Sequence, residues 1–190
     1  MNLEHICRAL GKIAWAYVLL HVNLNLGTLN VLPNWAGYLL LWQAVALLGG
    51  EVRDLLLLKP FCILLGAWEG AAWLLALAGR TLDGLFLPLD LLIAVISLYF
   101  HFQLLTDVAL LAEDGGEGSH WARRLRIWRN VNAVLSTALS LVLLLQRGSP
   151  LPLTLLLGFA GLVTVFYLMY CLFSLRRRYL SMEEEEPPAP

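Results

Sequence analysis

Six side chains able to exchange protons or hold a polar ligand lie within otherwise apolar segments of this 190-residue chain. They are His21, Asn25, Gln43, Glu69, Asp90 and His101. An ionisable group inside a hydrocarbon layer is costly to bury, so it is a functional-site hypothesis by default. Carboxylates and imidazoles can relay protons or bind a cation, and amides can orient a polar ligand. The sequence therefore predicts a polar ligand site or proton relay inside an apolar protein.

These residue types also have a purely structural use. Polar side chains join membrane helices through hydrogen bonds that contribute about 0.6 kcal/mol on average. Glu69 lies among the small residues of the segment 66–72, and small residues allow helices to approach closely. For Glu69 with His21, a ligand site and helix packing both remain open. For Gln43 and the asparagines between residues 23 and 30, helix packing is the preferred interpretation.

The composition is that of a helical membrane protein. Apolar residues make up 59% of the chain and charged residues 14%, against roughly 45–50% and 25% in soluble domains. Several apolar runs approach the ~18–20 residues that cross a hydrocarbon core. The longest polar interruption, residues 113–129, is too short to form a separate soluble domain. We predict an all-α, polytopic bundle of six transmembrane helices.

The predicted spans belong to one transmembrane domain, residues 1–180. They cover approximately 11–31, 34–50, 58–79, 85–106, 129–147 and 151–174. Pro33 favours a new helix after the first span, and glycine-containing segments separate the others. The acidic, proline-rich tail, residues 181–190, is expected to be disordered.

Basic residues fix the expected orientation of these spans. With an internal N-terminus, eleven of the 13 basic residues lie on the cytoplasmic side, and only Arg80 and Arg147 lie outside. Short cytoplasmic loops carry such an excess of Lys and Arg. Both termini are therefore predicted to be cytoplasmic.

The segment 119–129 is predicted to form a short helix that lies on the cytoplasmic membrane surface and runs into the fifth span. Its aromatic and basic residues are Trp121, Arg123, Arg124, Arg126, Trp128 and Arg129. Tryptophans on one face, with arginines around them, are typical of a helix that lies on an anionic leaflet. Simple anchoring of the chain is the preferred interpretation, and a specific lipid or protein contact is the alternative.

The sequence lacks the motifs of soluble enzymes and of nucleic-acid-binding proteins. No phosphate-binding glycine loop, nucleophile elbow or paired-cysteine zinc site is present, and the three cysteines have no metal-ligand spacing. The basic segment is predicted to face a membrane, which argues against nucleic acid. We expect no enzymatic activity, no cofactor and no metal.

The segment Asn25-Leu-Gly-Thr-Leu-Asn-Val-Leu-Pro-Asn-Trp-Ala-Gly-Tyr38 resembles a motif in small bacterial multi-span membrane proteins of uncharacterised function. In that family, the pattern N-x-G-x-x-N/D-x-L-P-N/D-aromatic-x-G-Y joins the first two spans. The resemblance covers 14 residues and implies a location in the bacterial cytoplasmic membrane. It implies no activity.

The length, six spans and internal termini also look like the substrate-binding subunits of energy-coupling-factor vitamin transporters. The Ala-x-x-x-Ala docking face of those subunits is absent, because the residue four positions after Ala14 is Val18 and the residue four positions after Ala16 is Leu20. Two functional hypotheses remain. The first is a membrane protein that binds or transports a small molecule or ion. The alternative is an interaction or regulatory subunit whose partner is another membrane protein and whose polar residues serve helix packing.

Overall fold

A computed structural model describes residues 3–22, 25–26, 29–30, 32–80, 82, 87–114, 119–144 and 151–185. The fold is all-α. Its helices are α1 (Leu3–His21), α2 (Asn34–Leu48), α3 (Lys59–Leu77), α4 (Leu87–Asp114), α5 (Ser119–Leu144) and α6 (Leu151–Glu185). A 3₁₀ helix, Arg53–Leu58, leads into α3. Between α1 and α2, two short strands, β1 (Asn25–Leu26) and β2 (Leu29–Asn30), pair in antiparallel register.

Three helical stretches of the described residues are long and apolar enough to cross a membrane. They are Arg53–Leu77, Leu87–Glu113 and Leu153–Met182. Helix α2 is also apolar but is only 15 residues long. Several large side chains point outwards, with Leu57 70% and Phe159 68% exposed. Such apolar outer surface is expected of a protein in contact with lipid.

The six helices pack around a central space. Helix α1 packs between α2 and α6, α5 packs between α4 and α6, and α3 packs against α2. The contact between α3 and α4 is sparser, and one described link is the ring pair Phe61–Tyr99, with centroids 5.7 Å apart. Among neighbouring helices of the bundle, α3 and α4 are therefore the least closely packed.

Helix α1 supplies much of the buried core. Ile6, Leu10, Ile13 and Tyr17 are fully buried and follow the i, i+4, i+7, i+11 spacing of one helical face. This face ends at the C-terminus of α1, next to His21. The core packing therefore fixes the position of the first candidate site residue.

The most basic parts of the chain meet at one end of the bundle. The Cys7 thiol lies 3.8 Å from the carbonyl oxygen of Arg176, which joins the start of α1 to the last part of α6. The Tyr179 hydroxyl donates to the Leu111 carbonyl at 2.9 Å near the end of α4, and the ion pair of Glu113 with Arg126 adds the arginine-rich part of α5. We call this the basic end of the bundle.

Three predicted boundaries differ from the structure. The first span was expected at residues 11–31, but α1 covers Leu3–His21, and the backbone beyond it forms the β1–β2 pair instead of more helix. The fourth span was expected to end at residue 106, but α4 continues to Asp114. Residues 119–129 run into the fifth span as expected, because both lie in one continuous helix, α5. Helix α6 continues to Glu185, so the first part of the tail predicted to be disordered is helical. Residues 186–190 lie outside the described residues.

Candidate functional site

A cavity of about 520 Å³ lies between α1, α2, α3, α4 and α5. We call it the central cavity. Its lining residues are Leu20, His21, Asn34, Tyr38, Glu69, Leu91, Ala94, Val95, Ser97, Leu98, His101, Asn132, Ser136, Thr137, Ser140 and Leu141. Pockets that bind small molecules have this size, with apolar walls and a few convergent polar groups.

His21 and His101 face each other across Tyr17 in one aromatic cluster. The Tyr17 ring stacks on His21 with centroids 5.5 Å apart, and the two imidazole centroids are 6.3 Å apart. The fully buried Tyr17 hydroxyl lies 3.3 Å from His101 Nδ1. The cluster holds two imidazoles against the cavity through one buried tyrosine.

The position of His21 determines which ring nitrogen can accept a proton. Its Nδ1 lies 3.1 Å from the carbonyl oxygen of Tyr17, one helical turn earlier. A carbonyl oxygen only accepts, so Nδ1 carries the hydrogen, and Nε2 of the neutral ring is an acceptor. His21 can therefore offer an acceptor nitrogen to a ligand while its donor binds the helix end.

Glu69 is the only carboxylate among the described lining residues. It lies in the middle of α3 and accepts a hydrogen bond from Asn34 Nδ2, with the donor 3.0 Å from Oε2. Asn34 is the first residue of α2 and follows Pro33, which starts that helix. The start of α2 is thereby joined to the middle of α3 at the cavity wall.

Hydroxyl groups complete the opposite wall. The nearly buried Tyr38 hydroxyl lies 3.4 Å from Ser97 Oγ, which links α2 to α4. On α5, Ser136, Thr137 and Ser140 line the same cavity within two helical turns. Together with Asn132, these groups offer donors and acceptors that carry no charge.

The charge of the central cavity favours some ligands over others. Among the lining residues that the structure describes, none is Lys or Arg, whereas Glu69 and two histidines are present. An anion would meet no fixed positive charge there. The cavity therefore suits a cation or a neutral molecule rich in hydrogen-bonding groups. Over the described part of the chain, no cluster of three metal-ligating side chains is found.

A second cavity adjoins the central cavity. It has a volume of about 290 Å³, lies between α1, α5 and α6, and shares Leu20, His21, Asn132 and Ser136 with the first. Gly158 and Gly161 of α6 form part of its wall, where the absence of side chains leaves space. His21 therefore lies at the boundary between two adjoining cavities.

The structure brings three of the six predicted site residues together. His21, Glu69 and His101 all line the central cavity. Asp90 lies in the first turn of α4, one residue before the lining residue Leu91. Asn25 lies in β1, so it does not continue the helical face of His21, and its side chain lies outside what the structure describes.

Gln43 does not lie at the depth of Glu69, which corrects the prediction. Its Oε1 accepts a hydrogen bond from Lys12 Nζ at 2.5 Å. On α2 the residue level with Glu69 is Asn34, and nine residues of helix separate Asn34 from Gln43, about 13 Å along the axis. The prediction failed because hydropathy gives the centre of an apolar segment but not its axial offset from neighbouring helices.

Asn34 and Tyr38 were missed as site residues. They are four residues apart at the start of α2, so they occupy the same helical face. Asn34 belonged to the recognised polar segment but looked like part of the turn before the helix. An i, i+4 pair of polar groups directly after the helix-starting Pro33 was the signal that could have identified them.

The predicted membrane-surface face of residues 119–129 packs against α6. Trp128 lies over Tyr167 with centroids 4.4 Å apart, Trp121 contacts the Tyr170 ring at 6.2 Å, and Leu125 is buried. This face needed an apolar partner, and α6 supplies one within the protein. Contact of the tryptophans with lipid headgroups stays a prediction.

The arginines of this segment differ in their surroundings. Arg126 forms an ion pair with Glu113 at 2.6 Å, and Arg129 donates to Thr106 at 2.7 Å. The Arg124 guanidinium lies 5.2 Å from the centroid of the Trp121 ring. Arg123 is exposed. Two of the four predicted surface arginines, Arg126 and Arg129, therefore join α5 to α4.

In comparisons with known proteins, no family model, curated protein or solved structure matches this chain.

Proposed function

We propose that this chain is a multi-pass protein of the bacterial cytoplasmic membrane that binds, and moves across the membrane, a small polar molecule or cation. The observation that carries the proposal is the central cavity, which is lined by Glu69, His21 and His101 without a described Lys or Arg. Polar groups inside the hydrocarbon layer are costly to bury, and a ligand that forms hydrogen bonds or ion pairs with them offsets that cost.

The proposed topology has six spans with both termini in the cytoplasm. Three stretches are long and apolar enough to cross a membrane, and the basic residues gather at one end of the bundle. That end would face the cytoplasm under the positive-inside rule. Helices α1 and α2 are shorter, and the β1–β2 pair between them would satisfy backbone groups at the opposite end.

The route into the cavity follows from the packing of the bundle. Among helices that are neighbours around the bundle, α3 and α4 make the sparsest contact over the described residues, and both contribute lining residues. Their ring contact, Phe61–Tyr99, is two helical turns from Glu69 on α3. We propose that separation of α3 from α4 admits the ligand.

The alternative is an interaction or regulatory subunit in which the same groups fix helix packing. The Asn34–Glu69 and Tyr38–Ser97 contacts favour it, because both join polar groups of neighbouring helices to each other. On this view the central cavity holds no specific ligand, and the function depends on a second membrane protein.

Native mass spectrometry of the full chain, released from mild detergent, separates the two functions. A retained small molecule, followed by ligand-dependent thermal stabilisation, supports the binding protein. Thermal shifts should then be measured with matched organic cations, neutral polyols and organic anions. Stabilisation by anions alone, or a retained partner chain with no small molecule, contradicts the proposed function.

A further inference from the structure

A second, smaller pocket lies at the basic end of the bundle, away from the central cavity. Its volume is about 300 Å³, and it is formed between α1, α2 and α6. The side chains that matter for its chemistry are Arg8, Lys12, Trp15, Leu40 and Arg176. We call it the basic pocket. Its described lining residues all differ from those of the central cavity.

The positive charge of the basic pocket is poorly compensated by the protein. Lys12 donates to Gln43, which is neutral and leaves the ammonium charge in place. Arg8 pairs with Glu4 at 2.6 Å, but the two side chains are 64% and 54% exposed. Exposed ion pairs of this kind are weak and exchange readily with other anions. Three cations therefore converge on this space, and the carboxylate that the described side chains show paired with one of them, Glu4, is exposed.

Arg176 has a donor that needs a partner. Its Nε atom is buried and makes no hydrogen bond within the part of the chain that the structure describes. A Cβ atom added to Gly11 would lie 3.5 Å from this Nε, so the backbone of α1 lies close to the guanidinium. A buried donor without an acceptor is unfavourable, and an anion in the pocket would satisfy it.

Apolar groups at the pocket place it near a membrane surface. Trp15 is 59% exposed and contacts the Phe173 ring, with centroids 6.3 Å apart. Exposed tryptophan beside basic residues is typical of the level of lipid headgroups. Basic pockets between membrane helices on the cytoplasmic side bind anionic headgroups.

We propose that the basic pocket binds a phosphate group through Arg8, Lys12 and Arg176, with an anionic lipid of the adjacent leaflet as its source. The guanidinium of Arg176 would hold two phosphate oxygens, and Lys12 would add a point charge. Trp15 and Leu40 would contact the start of an acyl chain. The site does not depend on the function of the central cavity.

The test uses the purified full chain in detergent and measures lipid binding by native mass spectrometry. Phosphatidylglycerol and zwitterionic phosphatidylcholine are added at equal concentration. The wild type should prefer phosphatidylglycerol, and Arg176→Gln and Lys12→Gln should each weaken that binding about fivefold, the loss expected for one basic charge. Arg177→Gln removes the same charge from an exposed neighbouring position and should bind as the wild type does.

A parallel measurement distinguishes the source of the phosphate. Thermal unfolding is recorded in inorganic phosphate and in chloride at equal ionic strength. If inorganic phosphate stabilises the wild type but neither pocket variant, and the wild type shows no preference among the lipids, the site is supported and its ligand is a soluble phosphate compound. If Arg176→Gln does not fold, Lys12→Gln decides the test. The proposal fails if Arg177→Gln loses as much binding as the pocket variants, if both pocket variants keep it, or if neither probe binds the wild type.

Discussion

The Asn34 amide donates to the Glu69 carboxylate across 3.0 Å, and this bond joins the first residue of α2 to the middle of α3. Both side chains also line the central cavity. The same pair can therefore hold two helices together and present an acidic group to a ligand. Substitutions at Glu69 can separate these two roles because glutamine and alanine remove different properties.

Glu69→Gln should leave folding intact and abolish the response to ligand. Glutamine keeps an acceptor oxygen for Asn34, so we expect the free energy of unfolding to change by less than about 1 kcal/mol. It carries neither a charge nor an exchangeable acid proton, so it cannot bind a cation or relay a proton. Thermal unfolding in detergent and ligand-dependent stabilisation measure the two effects separately.

Glu69→Ala is the matched control for this substitution. Alanine offers no acceptor to Asn34, so it should lower the free energy of unfolding by roughly 1–2 kcal/mol. Full stability with a full ligand response in Glu69→Gln would show that Glu69 serves packing alone, and the alternative function would then stand.

Tyr17→Phe should destabilise the protein without disturbing the aromatic packing. The Tyr17 hydroxyl is fully buried and lies 3.3 Å from His101 Nδ1. Phenylalanine keeps the ring that stacks on His21 but removes this hydrogen bond, which should cost about 1–2 kcal/mol. Circular dichroism during heating measures the loss. Tyr170→Phe, at a residue 56% exposed, should unfold as the wild type does; a Tyr17→Phe variant of unchanged stability would show that the hydroxyl contact is not formed.

The helical class and part of the site follow from local patterns in the sequence. Apolar runs predict helices, and His21, Glu69 and His101 stand out because ionisable groups are rare in such runs. Gln43 could not be placed in this way. Its assignment depends on how far α2 is shifted along α3, and that shift is set by side-chain packing between helices rather than by either segment alone.

The end of α1 is set by local turn preferences that override an apolar composition. The segment after His21 is apolar enough to extend a span, yet Asn25–Leu26 pairs with Leu29–Asn30 as strands. Asparagine and glycine favour turns because they form local hydrogen bonds and tolerate unusual backbone angles. The partner of the α5 tryptophans could not be predicted for a different reason. An apolar helical face can pack on another protein helix or on a membrane, and the sequence pattern is the same for both.

Cysteine labelling tests the proposed topology. Glu51 and Arg80 are exposed and lie on either side of the Arg53–Leu77 stretch. With both termini inside, Arg80→Cys should react with an impermeant thiol reagent in intact cells, and Glu51→Cys should react only after the membrane is opened. The wild type is the control, because Cys7, Cys62 and Cys171 are buried. Labelling of Glu51→Cys in intact cells would contradict the orientation.

Gly37→Ala should destabilise the contact between α1 and α2. A Cβ at residue 37 would lie 2.8 Å from Leu20 Cγ and 3.1 Å from the Ala16 carbonyl oxygen, so α1 must shift to make room. Overpacking of this kind typically costs about 1–3 kcal/mol, more than the ~1 kcal/mol that alanine gains over glycine within a helix. Because Leu20 also lines the central cavity, the shift should weaken ligand binding as well.

Gly70→Ala provides the comparison that isolates this close approach. A Cβ at residue 70 would lie 3.8 Å from Trp35 Cβ, an ordinary van der Waals contact, and residue 70 is also within a helix. This variant should gain the helical preference of alanine without the steric cost, so it should unfold at or slightly above the wild-type temperature. Thermal unfolding of the two variants in the same detergent measures the difference. Equal melting temperatures would mean that α1 and α2 are not packed as closely at Gly37 as the structure places them.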